Sequence, residues 1–198
     1  MFSFSQKKEL YVNDDFVSIS KLEFDKKSEN EFDYKLRFDV DSCYINVKVL
    51  RNKKGKINLN VLDSIKKTFY KINQKELSDN DILLINYYPG SDECSTLGYK
   101  EKFNKQYKQY HRKFDGIKNL KQLFIYKSND KIKDFGDKIN WQPDTNNLIE
   151  NTFYPIHYPC GGYILIDGKG NYISQRGEYL YSNLLIKKIK IFAETENN

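Results

Sequence analysis

Apolar and polar positions alternate along the first part of the chain, from about residue 9 to residue 59. Between Asp33 and Asp41, the residues Tyr34, Leu36, Phe38 and Val40 fall on one face, and Cys43, Ile45, Val47 and Val49 repeat the pattern. Period two marks a strand buried on one face. Asp41-Ser42 between the runs suits a tight turn, so a hairpin is expected with the Tyr34–Val40 face toward a core. Lys53-Lys54-Gly55-Lys56 reads as a second turn, leading into a short strand at Ile57–Leu59. From Asn60, a residue type that caps helices, the spacing becomes helical, with Val61, Leu62, Ile65, Phe69 and Ile72 on one stripe. Ser78-Asp79-Asn80 breaks the stripe. The expected division is a β-rich N-terminal extension over residues 1–75 and a second domain over residues 76–198.

The pattern changes character from Asp81. Ile82-Leu83-Leu84-Ile85 is a continuous apolar run of strand length, which predicts a strand covered on both faces. Tyr87–Ser91 reads as a loop, followed by a helix carrying Leu97, Phe103, Tyr107, Tyr110 and Phe114 and ending at Asp115-Gly116. Gln122–Tyr126 is a second buried strand. Short helical stretches around 131–135 and 146–153 flank Trp141-Gln142-Pro143. Gly162–Asp167 is a third strand, joined through the turn Gly168-Lys169-Gly170 to a fourth at Asn171–Ser174. A last helix carries Leu180, Leu184, Leu185, Ile189 and Phe192. The order is βαβ, short helices, a β-hairpin and a final helix. A βαβ unit requires a parallel pair with a right-handed crossover, and the hairpin adds antiparallel strands. The fold class is therefore α/β, a mixed sheet with helices on both faces.

Composition narrows the function classes. The 198 residues include 16 Tyr, 13 Phe and one Trp, enough bulky side chains for a core in a chain only 39% apolar. No apolar run approaches the roughly 20 residues of a membrane-spanning helix. The net charge of +6 is spread over lysines interleaved with acids, which reads as a solvated surface and not as a nucleic-acid face. Gly161-Gly162 and Gly168-Lys169-Gly170 lack the strand–loop–helix context of a phosphate loop. With three cysteines and no Cys-x-x-Cys, no structural metal site is expected, and no cofactor. Met1–Gln6 reads either as the tail of a truncated signal peptide, implying an exported or periplasmic protein, or as an ordinary start, implying a cytoplasmic one.

Several local motifs resemble the thioredoxin-like superfamily over roughly residues 80–193. The strand Ile82–Asn86 followed by Tyr87-Tyr88-Pro89-Gly90-Ser91-Asp92-Glu93-Cys94 is similar to that family's strand, loop and Cys-x-x-Cys at a helix N-terminus. Tyr158-Pro159-Cys160 before Tyr163–Gly170 resembles its cis-proline loop and following hairpin. The long segment containing Trp141 is similar to enlarged variants, the thiol–disulfide oxidoreductases and peroxiredoxin-like proteins. One departure dominates: Ser91 stands where the family has its attacking cysteine, so dithiol chemistry within residues 91–94 is excluded. Asp92 and Glu93 add negative charge beside Cys94, which works against a reactive thiolate there.

The resemblance implies a cis Tyr158–Pro159 bond and a Pro159 loop packed against the turn that leads to Cys94. Cys94 and Cys160 would then be neighbours, as free thiols or as a disulfide. His157, three residues before Cys160, is a candidate base or a loop residue bonded to backbone. Two readings follow. One is a redox-inactive binding module for a protein or peptide partner, with Tyr88, Ser91, His157, Tyr158 and Pro159 on the contact surface. The other is an atypical thiol–disulfide oxidoreductase using Cys94 and Cys160.

Overall fold

Strand formation in the first part of the chain follows the alternation. The computed structural model describes residues 7–28, 33–92, 109–110, 112–114, 116–117, 119–135, 139–178 and 183–195. Two compact units divide the chain, Met1–Asn52 and Lys53–Asn198.

In the first unit, β1 (Lys8–Asn13), β2 (Tyr34–Val40) and β3 (Cys43–Val49) form a three-stranded sheet in the order β1-β3-β2. The expected hairpin is present, with Leu36 opposite Val47 and Phe38 opposite Ile45. β1 joins β3 in parallel, Leu10 opposite Ile45. Val47 and Val49 on the central strand are fully buried, but Leu36 and Phe38 are half-buried and Val40 is exposed. The expected core-facing stripe of β2 is thus only partly covered, because β2 is an edge strand. The short helix α1 (Lys21–Asp25) is capped by Ser20, whose Oγ accepts the Glu23 N–H at 3.1 Å. Lys48 Nζ ties it to β3 by donating to the Glu23 and Lys26 carbonyls at 2.9 and 3.1 Å.

The second unit holds a six-stranded sheet in the order β4-β9-β8-β5-β6-β7. Its strands are β4 (Asn52–Lys56), β5 (Ile82–Tyr88), β6 (Leu120–Tyr126), β7 (Trp141–Pro143), β8 (Gly162–Ile166) and β9 (Asn171–Arg176). β5 pairs in parallel with β6 and antiparallel with β8, and β8 pairs antiparallel with β9. This βαβ–ββ order, with the first core strand between the second and third, is the thioredoxin-like arrangement. The four strands read from the sequence form its centre, and β4 and β7 extend it at the two edges.

All seven residues of β5 are buried. Ile82 and Leu84 face a cluster containing Phe124, Leu165 and two residues of α4 (Asn183–Thr195), Leu185 and Ile189. Leu83 and Ile85 face the other way, toward Leu62 and Ile65 of α2 (Leu59–Asn73) and Ile149 of α3 (Leu148–Phe153). Helices therefore cover both faces, as a continuous apolar strand requires. Asn86 is the polar residue in this run, and its side chain is satisfied by the Leu123 carbonyl at 3.2 Å and the Tyr110 hydroxyl at 2.6 Å.

Two local expectations are corrected. The segment expected as a turn at residues 53–56 lies in β4, and the helix starts earlier, with Asn58 rather than Asn60 as its cap (Asn58 Oδ1 accepts the Val61 N–H at 2.9 Å). Gly55 serves close packing here: a Cβ at that position would lie 3.0 Å from the Tyr172 ring on β9. The lysines of β4 suit a charged edge that resists pairing with other chains. Residues Met1–Gln6, Cys94, Leu97, Phe103, Tyr107 and Leu180 lie outside the described residues.

Candidate functional site

The site grows from the C-terminal end of β5 and the loop before β8. Tyr158-Pro159-Cys160-Gly161 forms a turn closed by the Gly161 N–H donating to the Tyr158 carbonyl at 3.3 Å. Proline suits the second position of such a turn because its φ is preset. The third position requires positive φ, where glycine is usual, and Cys160 occupies it at φ 66°. Gly161 follows at φ 74°, and a Cβ there would lie 2.2 Å from the Tyr87 carbonyl oxygen. The turn is thus seated directly against the end of β5. The Gly161 carbonyl also accepts the Gly177 N–H at 2.7 Å, fastening it to the residue after β9.

Asp92 joins this turn to the loop after β5. Its Oδ2 accepts the Cys160 backbone N–H at 2.7 Å and lies 3.7 Å from His157 Nε2. The Asp92 side chain is 10% exposed, against 44% for His157. The expected packing of the Pro159 loop against the segment leading to Cys94 is therefore present, across 68 residues of sequence. Cys160 is partly buried, and Cys43, in the first unit, is a free cysteine. Cys94 lies outside the described residues.

The expected cis Tyr158–Pro159 bond is not found: there is no cis peptide among the described residues. The turn is trans, and the left-handed Cys160–Gly161 pair supplies its reversal of the chain.

Tyr88 and Tyr158, expected on the contact surface, pack the interior beside Tyr87, Tyr154 and Tyr163. Tyr87, Tyr88, Tyr154, Tyr158 and Tyr163 are each at most 7% exposed. Tyr87 stacks on Tyr154 with centroids 4.4 Å apart, and Tyr154 meets Tyr158 edge-on at 6.0 Å. The Arg176 guanidinium lies 4.8 Å over the Tyr158 ring and donates to the Phe153 carbonyl at 3.3 Å. Tyr88 uses its hydroxyl to hold the Asp130 carbonyl at 3.0 Å. Burial pushes the Tyr163 phenol up, and burial followed by the nearby Glu150 and Asp144 does the same at Tyr87, so both stay neutral. Ser91 and His157 are the exposed members of the expected contact surface, and Pro159 is half-buried.

Asp92 and Arg176 carry roles that sequence reasoning missed. Asp92 was legible only as a charge beside Cys94, since its acceptor role depends on a distant amide. A nearby structural acid, Asp144, caps α3 by accepting the Ile149 and Glu150 N–H groups at 3.0 and 2.8 Å. Burial raises its pKa, and those amides oppose the rise. Among the described residues no group of three or more His, Cys, Asp or Glu converges to hold a metal ion, and no helix is long and apolar enough to cross a membrane.

Fold and site together define a domain of thioredoxin-like topology with a cysteine, Cys160, on the loop before its third core strand. No family model and no curated protein matches the chain. Solved structures that it resembles include the Xanthomonas campestris bacterioferritin comigratory protein, described for alkyl peroxide reduction, at 16% identity and TM-score 0.40, covering 58% of this chain and 81% of that one. A cysteine-to-serine variant of PrxQ from Xylella fastidiosa matches at 16% identity and TM-score 0.40, covering 71% and 96%. A thioredoxin domain of a Bacteroides vulgatus thiol–disulfide oxidoreductase matches at 14% identity and TM-score 0.35, covering 72% and 93%.

Proposed function

We propose that the second unit is a thiol–disulfide exchange domain in which Cys160 and Cys94 form the reactive pair. The observation that supports this is the hydrogen bond that fastens the Cys160 turn to Asp92, two positions before Cys94 in the sequence. With Cys43 free, Cys94 is the cysteine left to pair with it. The interior packing of Tyr88 and Tyr158 leaves the redox-inactive binding reading with less contact surface.

The exchange proceeds with a dithiol substrate. A substrate thiolate attacks one sulfur of the disulfide, forming a mixed disulfide and releasing the other cysteine as a thiolate that takes up a proton. The second substrate thiolate then attacks the mixed disulfide. The substrate leaves as a disulfide, and two electrons remain on the protein as two thiols. Ser91 takes no part, because a hydroxyl cannot form a disulfide and is far less acidic than a thiol.

Thiol counting tests the pairing. Protein purified under oxidising conditions and denatured should expose one thiol, Cys43, and three after reduction. Three free thiols before reduction would overturn the pairing. Reaction of the native protein with a small dithiol tests function: the disulfide should open while the fold persists. Opening only on global unfolding would make it a structural staple and remove the exchange reading.

A further inference from the structure

Cys160 occupies a backbone conformation that L side chains disfavour, at φ 66°. The N–H of this same residue is donated to the Asp92 carboxylate at 2.7 Å. The acceptor is largely shielded from water, at 10% exposure, and a hydrogen bond is electrostatically stronger away from water. The carboxylate therefore holds the one residue of the turn whose conformation most needs support. It also fastens the turn to the loop after β5 independently of any sulfur.

We propose that Asp92 is the positioning residue of the Cys160 disulfide, setting how readily that bond opens and re-forms. The inference rests on the reading of Cys160 as an exchanging cysteine. On that reading the disulfide and the bond to Asp92 both tie the turn to the stretch of sequence after β5, so each lowers the entropy lost in forming the other. By reciprocity, the bond to Asp92 favours the disulfide by the same factor that the disulfide favours the bond. In the reduced protein the carboxylate keeps the turn docked, and the thiol of Cys160 recloses at high effective concentration. Losing the carboxylate lets Cys160 leave the left-handed region, and the disulfide becomes easier to reduce. His157 Nε2 lies 3.7 Å from the same oxygen.

The experiment is equilibration of the full chain with glutathione buffers, reading the oxidised fraction by mass after alkylation. Asp92→Ala should lower the equilibrium constant for disulfide formation by about fivefold or more. Asp92→Asn, which keeps an acceptor oxygen but no charge, should fall between that variant and the wild type. Thermal unfolding of the reduced proteins separates this shift from a general loss of stability, because a merely structural role moves the melting temperature and leaves the equilibrium constant alone. If Asp92→Ala fails to fold, Asp92→Asn carries the test. Equilibrium constants of the folded variants within about twofold of wild type overturn the proposal. A wild-type protein with no reversible disulfide is a different result, visible without any variant, and overturns the exchange reading together with the inference built on it.

Discussion

β2 and β5 are both seven-residue strands rich in apolar side chains, yet they sit in opposite circumstances. β5 lies inside a six-stranded sheet, buried along its whole length between helices on both faces. β2 lies at the edge of a three-stranded sheet, with its apolar stripe half-covered and its lysine and arginine positions exposed. The difference was written in the periodicity. A strand that must satisfy two apolar layers has no room for polar residues, whereas alternation signals a single layer. What alternation leaves open is how completely that one layer is covered, and at an edge the answer is partial.

The largest expected effect lies on β5. Leu84→Ala should destabilise the second unit by about 2–5 kcal/mol, since a fully buried side chain leaves a cavity behind. Phe38→Ala on β2 should cost about 1–2 kcal/mol, well below the usual value for a core phenylalanine, because its ring is only partly covered. Urea unfolding of both variants measures the ratio, and equal costs would break the contrast between the two strands.

A second contrast sets the turns side by side. Asp41-Ser42 in the β2–β3 hairpin is exposed, and substitutions there should stay within about 0.5 kcal/mol. Gly161→Ala combines positive φ with a Cβ driven into the Tyr87 carbonyl, and should cost more than about 1 kcal/mol. A Gly161→Ala protein as stable as wild type would show that the turn before β8 is not seated against β5.

The smallest effect concerns acid. Burial acts to raise the Asp81 pKa, but hydrogen bonds from Ser78 and the Lys121 ammonium outweigh it, and the net shift is downward. A carboxylate with a lowered folded pKa contributes stability that is present above the ordinary aspartate value of about 3.9 and is lost as pH falls through the folded value. Asp81→Asn should therefore lower stability at pH 7 and leave a shallower loss between about pH 5 and pH 2. Parallel acid limbs for the variant and wild type, in stability measured against pH, would remove Asp81 from the account.

Much of the second unit was legible before any coordinates. The continuous run at Ile82–Ile85, the runs at Leu123–Ile125 and Tyr163–Ile166, and the Gly168–Gly170 turn each carry a local signal, and their order implies the parallel pair and the closing hairpin. β4 was not legible, because its lysines look like a turn and its place in the sheet depends on β9 lying beside it. β7 is three residues long, too short for any period to show. Its pairing comes from Phe124 and Tyr126 on the neighbouring strand.

The site divides along the same line. Residue type by itself determined that Ser91 could not act as a thiol, and the resemblance of the loop motifs made Cys94 and Cys160 the cysteines worth following. Tertiary structure decided that Tyr158 belongs to the core, that the bond before Pro159 is trans, and that Cys160 reverses the chain in a left-handed conformation. It alone decided that the carboxylate of Asp92 answers the amide of Cys160. Periodicity reports how a segment meets one neighbouring layer. A hydrogen bond between residues 68 apart exists only once every intervening strand and helix has taken its place.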